Sequence, residues 1–362
     1  MNKRLAAAIL AVWMIFSLVG CGKKEEIPPV TDPVEKEDVV TPDPVPEVDP
    51  NLPKGLNPLT GMPMEPEYEN DRPVAVMLNN LKAAQPQLGV SKADIIYEIP
   101  AEGAVTRMIG IFQSLEGVGN LGSIRSTRSY YLEAALGHDA VLVHAGASPQ
   151  AYEEITSWDV DNIDGIKGGS MGEAFWRDAE RRKTAGYEHS LLTSGEKILA
   201  YLAGGNYATE HAEGYQYAQA FVEDGTPAGG SAAEVVTLKF SSYKTGVFEY
   251  DANIKQYLVS QYNGPYVDGN TGERVGVTNV LVLETDISPI PGDTAGRLNV
   301  RMTGTGNGTY FCGGKSIPIT WSKADRNSPF VYQLQDGTSL TLGKGTSYVC
   351  IMDPDNSTLN IG

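Results

Sequence analysis

One stretch of the chain, residues 98–144, includes five side chains that can bind or transform a ligand: two glutamates, two arginines and a histidine. Glu98 and Glu102 lie in and just after the apolar run DIIYEIP. Arg125 and Arg128 stand in the turn IRSTRS, and His144 ends the run DAVLVH. The apolar runs are typical of buried strands, and α/β folds place ligand sites at the ends of such strands. The spacing therefore predicts one loop surface that carries acid, guanidinium and imidazole groups.

The two glutamates are the residue type that glycan hydrolysis uses as an acid and base pair. That role requires Glu98 and Glu102 to hold their carboxyl groups about 5–10 Å apart. His144 is a candidate general base for such an enzyme, because imidazole titrates near neutral pH. The structural alternative is an ion pair between either glutamate and Arg107 or Arg125, with His144 as a hydrogen-bonded core residue. Both interpretations stay open at this point.

Arg125 and Arg128 are the best candidates for ligand binding. A helix that begins just after them would present unpaired N–H groups beside two guanidinium groups, a combination that grips a carboxylate or a phosphate. The alternative is a structural salt-bridge cluster, because arginine is also the usual residue of buried ion pairs. The predicted binding surface consists of Arg125, Arg128, Arg107, His144, His189 and Glu98.

A short basic segment, FWRDAERRK, interrupts the otherwise acidic chain. With the residues TAGYEHS that follow, it contains Arg177, Arg181, Arg182, Lys183 and His189. The structural interpretation is an exposed helix face on which opposite charges stand four residues apart. A ligand role for this segment is the alternative.

No metal or cofactor is predicted. The four histidines, His138, His144, His189 and His211, do not stand in the spacing of a zinc site. The acidic loop WDVDNIDGIKGG departs from the EF-hand pattern, because its glycine comes late and Ser170 stands where the bidentate glutamate belongs. No glycine-rich phosphate-binding motif follows a predicted strand.

The helices that position these groups have start and stop signals in the sequence. After the strand DAVLVH, Ser148 is a predicted N-cap and Pro149 suits the first helical position. The preceding helix, RSYYLEAALG, is predicted to be capped by Ser126 or Thr127 and to stop at Gly137. Each helix would then begin at the loop surface that carries the candidate residues.

Length and charge limit the classes of partner. The chain has 362 residues, 41% of them hydrophobic, and its formal net charge is -17. That length favours two domains over one. The negative field repels phosphate polymers, so no nucleic acid is predicted as a partner.

The N-terminal segment predicts the compartment. Lys3 and Arg4 precede the apolar run LAAAILAVWMIFSLV, which leads to Gly20 and Cys21. A basic start, a short apolar core and a small residue describe a secretory signal at residues 1–20. The segment that ends in this cysteine resembles the lipobox of bacterial lipoproteins, which implies cleavage before Cys21 and its diacylation with chains such as palmitate. The alternative is a simple membrane anchor or a coincidental cysteine. The expected location is the extracytoplasmic side of the bacterial cell membrane.

The rest of the chain divides into four parts. Residues 21–56 are rich in proline and acid, which predicts a disordered linker. Residues 57–205 alternate short β-branched runs with helical patterns, and residues 206–231 form a connecting loop rich in glycine, alanine and tyrosine. Residues 232–362 are nearly all strand and turn. The predicted fold class is α+β, with an N-terminal mixed α/β domain followed by a mostly antiparallel β domain.

The chain has two cysteines in addition to the predicted lipidation site Cys21. Cys312 and Cys350 lie in similar settings, TYFC and SYVC. A strand at each position places Tyr310 with Cys312 on one face and Tyr348 with Cys350 on another. A disulfide requires Cα atoms within about 7 Å of each other, and the alternative is two separate buried thiols. The sequence leaves both open.

Several motifs together resemble the YerB-like family of bacterial lipoproteins, a family of domains of unknown function. The motifs are NPLTG at 57–61, RPVAVMLNN at 72–80, SKADIIYE at 91–98, TRMIGIFQS, IRSTRSYYLEAA, DAVLVHAGASPQAY, EHSLLTS, GTYFCGGKSIPITWSKADRNSPF and DGTSLTLGKGTSYVCIM. The resemblance implies an N-terminal and a C-terminal YerB-like domain and an envelope location, and it brings no established catalytic role. This chain departs from the family pattern at Tyr187 and Glu188, which precede His189 where a proline is expected.

The residues and the resemblance together predict a non-catalytic lipoprotein that is attached to the membrane through a lipid on Cys21. Its predicted partner is an anionic envelope component, such as peptidoglycan or teichoic acid, or a wall enzyme. The alternative is an envelope glycan or peptide hydrolase that uses Glu98 or Glu102 with His144. A solute receptor is less favoured, because such proteins pair two similar α/β lobes and this chain does not.

Overall fold

The computed structural model describes residues 55–362. The predicted signal peptide 1–20, the lipidation site Cys21 and the linker as far as residue 54 lie outside the described residues. The described part belongs to one compact unit, Pro50–Gly362. Among these residues no helix combines the length and the apolar surface that crossing a bilayer requires.

Strand residues outnumber helical residues in this unit, in agreement with the predicted α+β class in its coarse form. The strands of the first half are β1 Gly55–Leu56, β2 Pro63–Met64, β3 Val74–Asn79, β4 Ile95–Ala101, β5 Val105–Phe112, β6 Asn120–Gly122, β7 Val141–His144, β8 Asn162–Asp164, β9 Trp176–Arg177 and β10 Leu191–Ser194. The α-helices are α1 Ser129–Leu136, α2 Pro149–Ser157, α3 Ala179–Thr184 and α4 Gly195–Gly204.

The second half consists of strands and turns, as predicted. Its strands are β11 Ala220–Val222, β12 Ser231–Ala232, β13 Val235–Lys239, β14 Thr245–Asp251, β15 Gln256–Gln261, β16 Gly264–Pro265, β17 Gly276–Val277, β18 Asn279–Glu284, β19 Ile287–Pro289, β20 Leu298–Val300, β21 Gly304–Cys312, β22 Lys315–Lys323, β23 Val331–Leu334, β24 Thr341–Gly343, β25 Ser347–Met352 and β26 Thr358–Ile361. Short 3-10 helices are Pro66–Tyr68, Lys82–Ala84, Val90–Lys92, Glu102–Ala104 and Tyr187–His189.

One large mixed sheet runs through both halves of the chain. Its strand order is β12-β22-β21-β18-β25-β4-β5-β3-β7-β8, and β23 joins it by pairing with β22. The halves meet where β25 pairs in parallel with β4, so that Tyr348 lies opposite Ile96. The sheet is therefore continuous across the connecting segment 206–231, whose exact bounds stay a prediction.

Six strands in the part of this sheet from β18 to β8 point in the same direction. The strands β3, β7 and β8 are parallel to one another, as are β18, β25 and β4, and the antiparallel β5 between β3 and β4 gives both sets the same sense. The edge where they end, here named the carboxyl edge, is formed by Asn79, Ala101, His144, Asp164, Glu284 and Met352. Ligand sites of open α/β sheets lie outside this kind of edge.

The main sheet is covered on both faces, which explains why its central strands are apolar throughout. In β3, Val74, Val76 and Leu78 pack on one face, and Ala75 and Met77 pack on the other. A second sheet, antiparallel throughout, of order β16-β15-β14-β13-β26 with β17 attached, covers the first face, and α1 and α2 cover the other. The loops of the carboxyl edge are thus attached to a closely packed core.

The two described cysteines are separate buried thiols. Cys312 packs with Tyr310 on the face covered by helices, and Cys350 packs with Tyr348 beneath the second sheet. The predicted separation of the two tyrosine-cysteine pairs onto different faces is therefore confirmed. Burial raises the pKa of the Cys350 thiol, which keeps it protonated.

Candidate functional site

Main-chain hydrogen bonds place Arg125 at the carboxyl edge, between the ends of β3 and β7. Arg125 N donates to Met77 O at 3.1 Å, and Arg125 O accepts from Ala145 N at 3.0 Å. Thr127 N donates to Gly146 O at 3.0 Å. Because these bonds reach two strands of the core, the sheet itself fixes the backbone from which the Arg125 side chain extends.

The helix α2 begins at Pro149, as the sequence predicts, and α1 begins at Ser129, one residue after its predicted start. Ser148 Oγ accepts from Ala151 N at 3.1 Å at the start of α2, which confirms the predicted N-cap. The helix α1 begins after Arg128 without a side-chain cap, so the prediction of Ser126 or Thr127 in that role is wrong. The Ser126 hydroxyl instead donates to a backbone carbonyl just after β7 at 2.9 Å.

A pocket of about 490 Å³ opens at this end of the carboxyl edge and is named here the Arg125 pocket. Its charged lining residues are Arg125, Lys167, Arg177 and Glu188. Apolar side chains and tyrosine rings form its walls: Ile124, Ile166, Leu191, Tyr152 and Tyr187. Three cations against one carboxylate make the pocket locally positive in a chain whose net charge is strongly negative. Its size suits a small ligand or the end of a polymer.

Arg125 contacts one carboxylate among the described residues, that of Glu188. Arg125 Nη2 lies 2.5 Å from Glu188 Oε1, and the exposed fraction is 16% for the arginine side chain and 61% for the glutamate. Arg125 Nε is buried and has no hydrogen-bond partner within residues 55–362. The guanidinium holds the pKa of the Glu188 carboxyl below its usual range. One guanidinium donor, Nε, is therefore unused within these residues, although one exposed carboxylate already touches the group.

Lys167 and Arg177 line the same pocket, although the predicted binding surface does not include them. The Arg177 guanidinium lies 3.6 Å from the ring centroid of Tyr187, and its Nη1 donates to Tyr187 O at 2.7 Å. Lys167 Nζ lies 3.3 Å from the ring centroid of Tyr152. These cation–π contacts hold both charges at the pocket. The basic segment FWRDAERRK is the sequence signal that points to Arg177. No such signal points to Lys167, which lies in a glycine-rich loop.

Asp164, at the end of β8, holds the wall of the pocket in place. Its Oδ1 accepts from Gly146 N at 2.8 Å and from Ile166 N at 2.9 Å, and Tyr152 Oη donates to its Oδ2 at 2.9 Å. All three bonded residues line the Arg125 pocket. Asp164 of the acidic loop thus has a structural role, because it holds these three residues together. Within the described part of the chain, no group of His, Cys, Asp and Glu side chains forms a candidate metal site.

Arg128 and Arg107 share one acidic partner, Glu102, within residues 55–362. Arg107 Nη2 lies 2.9 Å from Glu102 Oε1, and Arg128 donates to the same carboxylate. Arg107 also donates to Ser126 O at 2.7 Å, and Arg128 donates to Thr127 O at 2.6 Å. Burial opposes ionisation of Glu102, but the two arginines outweigh it and hold the pKa of its carboxyl below the usual range. The prediction of Arg128 and Arg107 as ligand groups is therefore corrected to a structural ion cluster.

Glu98 is enclosed inside the molecule, so its predicted place on the binding surface is also corrected. Its side chain is 1% exposed and its Oε1 lies 3.1 Å from Lys244 Nζ, which is equally buried. Asn80, Thr106 and Tyr348 donate to the same carboxylate at 2.9, 2.5 and 2.5 Å. Burial lowers the pKa of Lys244, and the carboxylate opposes that effect. A glutamate enclosed in this way is not placed to act on an external substrate.

The two predicted site histidines do not line the Arg125 pocket. His144 ends β7, but its ring is fully buried, with Nδ1 2.9 Å from Gly146 O and Nε2 3.1 Å from Asn162 Oδ1. His189 Nδ1 lies 2.9 Å from Asn79 Nδ2, and burial lowers the pKa of the ring. Both imidazoles hold loops together. Glu98 and His144, two of the three residues of the predicted hydrolase site, are therefore both enclosed in the molecule.

Both halves of the chain match one protein family. Residues 59–208 match the N-terminal domain, and residues 236–349 the C-terminal domain, of a family described as protein of unknown function (DUF3048). The chain belongs to the DUF3048 family. The main sheet is shared by its two domains, because β4 lies in the first and β18 in the second, with β25 between them.

Similar proteins support the same assignment to DUF3048. A Bacillus subtilis (strain 168) protein named "Putative lipoprotein YerB" is 28% identical over 352 residues, which cover 97% of this chain and 96% of that protein. The crystal structure of the YerB protein from Bacillus subtilis matches with a TM-score of 0.74 and 28% identity, and the match covers 85% of this chain and 100% of the solved one. The resemblance to the YerB-like family is thereby confirmed.

Proposed function

We propose that this DUF3048 protein is a lipid-anchored protein of the bacterial cell envelope that binds an anionic envelope component through the Arg125 pocket. The observation that carries the proposal is that Arg125 lines an open pocket while one of its donors is unpaired among the described residues. Its guanidinium stands in an open pocket at the carboxyl edge, and its buried Nε has no partner among the described residues. The anchor rests on the lipobox pattern that ends at Cys21 and on the resemblance to the Bacillus protein named "Putative lipoprotein YerB".

The chemistry of the pocket suits an anion. Guanidinium groups form strong, often paired hydrogen bonds with carboxylate and phosphate oxygens. Arg177 and Lys167 add positive charge on the same side, held by their tyrosine rings. Wall peptides carry carboxylates and teichoic acids carry phosphates, so envelope material supplies both kinds of ligand.

Arg125 is the arginine to test, because Arg128 is committed to Glu102 and its removal would disturb the fold. The test is sedimentation of the full chain with purified, insoluble cell wall, with and without teichoic acid. Arg125→Gln should weaken binding about tenfold or more, the value of one charge-assisted hydrogen bond. Arg297→Gln is the matched control, because Arg297 Nη1 pairs with Asp293 at 2.7 Å and does not line the pocket. Equal sedimentation of Arg125→Gln and the unchanged protein would overturn the proposal.

A further inference from the structure

Glu188 lies where the carboxylate of a ligand would lie. It sits on the 3-10 turn Tyr187–His189, and its carboxylate reaches Arg125 through one oxygen while the side chain stays 61% exposed. The turn itself is attached elsewhere, through the His189 ring to Asn79. Removing the Glu188 carboxylate from Arg125 therefore needs only rotation of an exposed side chain.

Donors around this carboxylate are incompletely used. The buried Nε atoms of both Arg125 and Arg177 lack hydrogen-bond partners within the described part of the chain, and both residues line the pocket. By contrast, Arg107 and Arg128 spend their donors on Glu102 and on backbone carbonyls. A carboxylate that bound Arg125 with both oxygens would satisfy more of these groups than Glu188 does.

Apolar side chains stand directly beside these charges. Ile166 and Tyr187 line the pocket and are each 58% exposed, so both present apolar surface to a ligand. Ile124 and Leu191 form buried parts of the same wall. The complementary ligand therefore carries an apolar group next to its negative charge, which bare phosphate polymers do not.

The overall charge favours a ligand with one negative group. A chain of net charge -17 repels a polyanion at long range, whereas one carboxylate is exposed mainly to the local cations of the pocket. Carboxyl-terminal carboxylates of peptides combine a single charge with an adjacent side chain, and proteins recognise them by this combination.

We propose that the Arg125 pocket binds the free carboxyl terminus of a peptide that ends in a small apolar residue, and that Glu188 occupies the carboxylate position until the peptide binds. This inference rests on the proposed function and names the chemistry of its ligand. Wall peptides and protein C-termini both present this chemistry, and they differ in the chirality of the final residue.

The test measures binding of short probes to the full chain by calorimetry. The probes are acetyl-Lys-D-Ala-D-Ala, its L-isomer, the carboxyl-terminal amide of each peptide, and glycerol phosphate. We expect binding of a free acid that exceeds binding of its amide and of glycerol phosphate about tenfold or more, since the amide lacks the charge-assisted bonds. Preference for the D-peptide identifies wall peptides as the source, and preference for the L-peptide identifies protein C-termini.

Two variants separate this inference from the proposed function. Arg125→Gln should lose binding of the acid, and Glu188→Gln should increase it about two- to fivefold, the value of an exposed ion pair that no longer competes. Asp293→Asn, at the ion pair with Arg297, is the matched control and should leave binding unchanged. Equal binding of acid and amide, or unchanged binding by Glu188→Gln, overturns the inference. Wall sedimentation that still depends on Arg125 would then leave the proposed function standing.

Discussion

Replacement of Lys244 by methionine should destabilise the whole molecule, because it leaves the Glu98 carboxylate buried without its counter-ion. The two side chains are each 1% exposed, and Lys244 Nζ lies 3.1 Å from Glu98 Oε1. At an effective dielectric constant of about 20, that separation corresponds to a gross attraction of about 5 kcal/mol. Desolvation offsets much of it, as the lowered pKa of Lys244 indicates.

The expected loss is nevertheless large, because breaking a buried pair costs about 3–5 kcal/mol even where the intact pair contributes little. Asn80, Thr106 and Tyr348 still donate to Glu98 in the variant, which places the loss near the lower end of that range. We therefore expect Lys244→Met to lower the free energy of unfolding by about 3 kcal/mol. Urea unfolding at pH 7, followed by tyrosine and tryptophan fluorescence, measures it.

The control and the double variant make the reasoning testable. Lys344→Met removes an exposed pair, since Lys344 and Glu223 are 35% and 85% exposed, and should cost less than about 1 kcal/mol. Adding Glu98→Gln to Lys244→Met should restore about 2 kcal/mol, because no unpaired charge remains. A loss below about 1 kcal/mol for Lys244→Met, or a double variant no more stable than the single one, would refute the argument.

Two further measurements test other buried groups. His138 is buried beside Tyr97, and burial lowers its pKa to about 3, so the unfolded chain takes up a proton that the folded chain refuses. Stability should be full above about pH 6.5 and fall by about 1.4 kcal/mol per pH unit below it, and His138→Gln should flatten that slope in urea titrations at several pH values. Asp268 accepts from Gly89 N and Ser91 N at 3.1 and 2.8 Å across the two family domains. Asp268→Ala should lower the free energy of unfolding by about 3 kcal/mol, and a thermal midpoint within about 2 °C of the unchanged protein would contradict this.

Local signals predict local structure well in this chain. Ser148 and Pro149 predict the start of α2, because a cap and its helix are adjacent in sequence. The alternation of side chains along a strand predicts that Cys312 shares a face with Tyr310 and Cys350 with Tyr348, because each pair is two residues apart in sequence. The prediction of Ser126 or Thr127 as the α1 cap was wrong because the Ser126 hydroxyl bonds to Ala145 O instead and the helix begins after Arg128.

The site was only partly predictable, because residues far along the chain decide whether each candidate side chain is enclosed or faces a pocket. Glu98 resembles a loop acid until Tyr348, 250 positions away, bonds to it. Arg125 and Arg128 look equivalent in sequence, and only the fold gives one of them a pocket and the other the partly buried carboxylate of Glu102. The continuous sheet was unpredictable for the same reason, because no local sequence pattern indicates that β25 pairs with β4.

The position of β25 at the centre of the main sheet has a consequence for folding. This strand lies near the end of the chain, yet it fills the gap between β18 and β4. One edge of β4 therefore has no backbone partner until this late segment is in place, and such an edge can pair with other chains. Truncated forms that stop before Ser347 should accordingly aggregate, whereas a chain that includes β25 closes its own sheet.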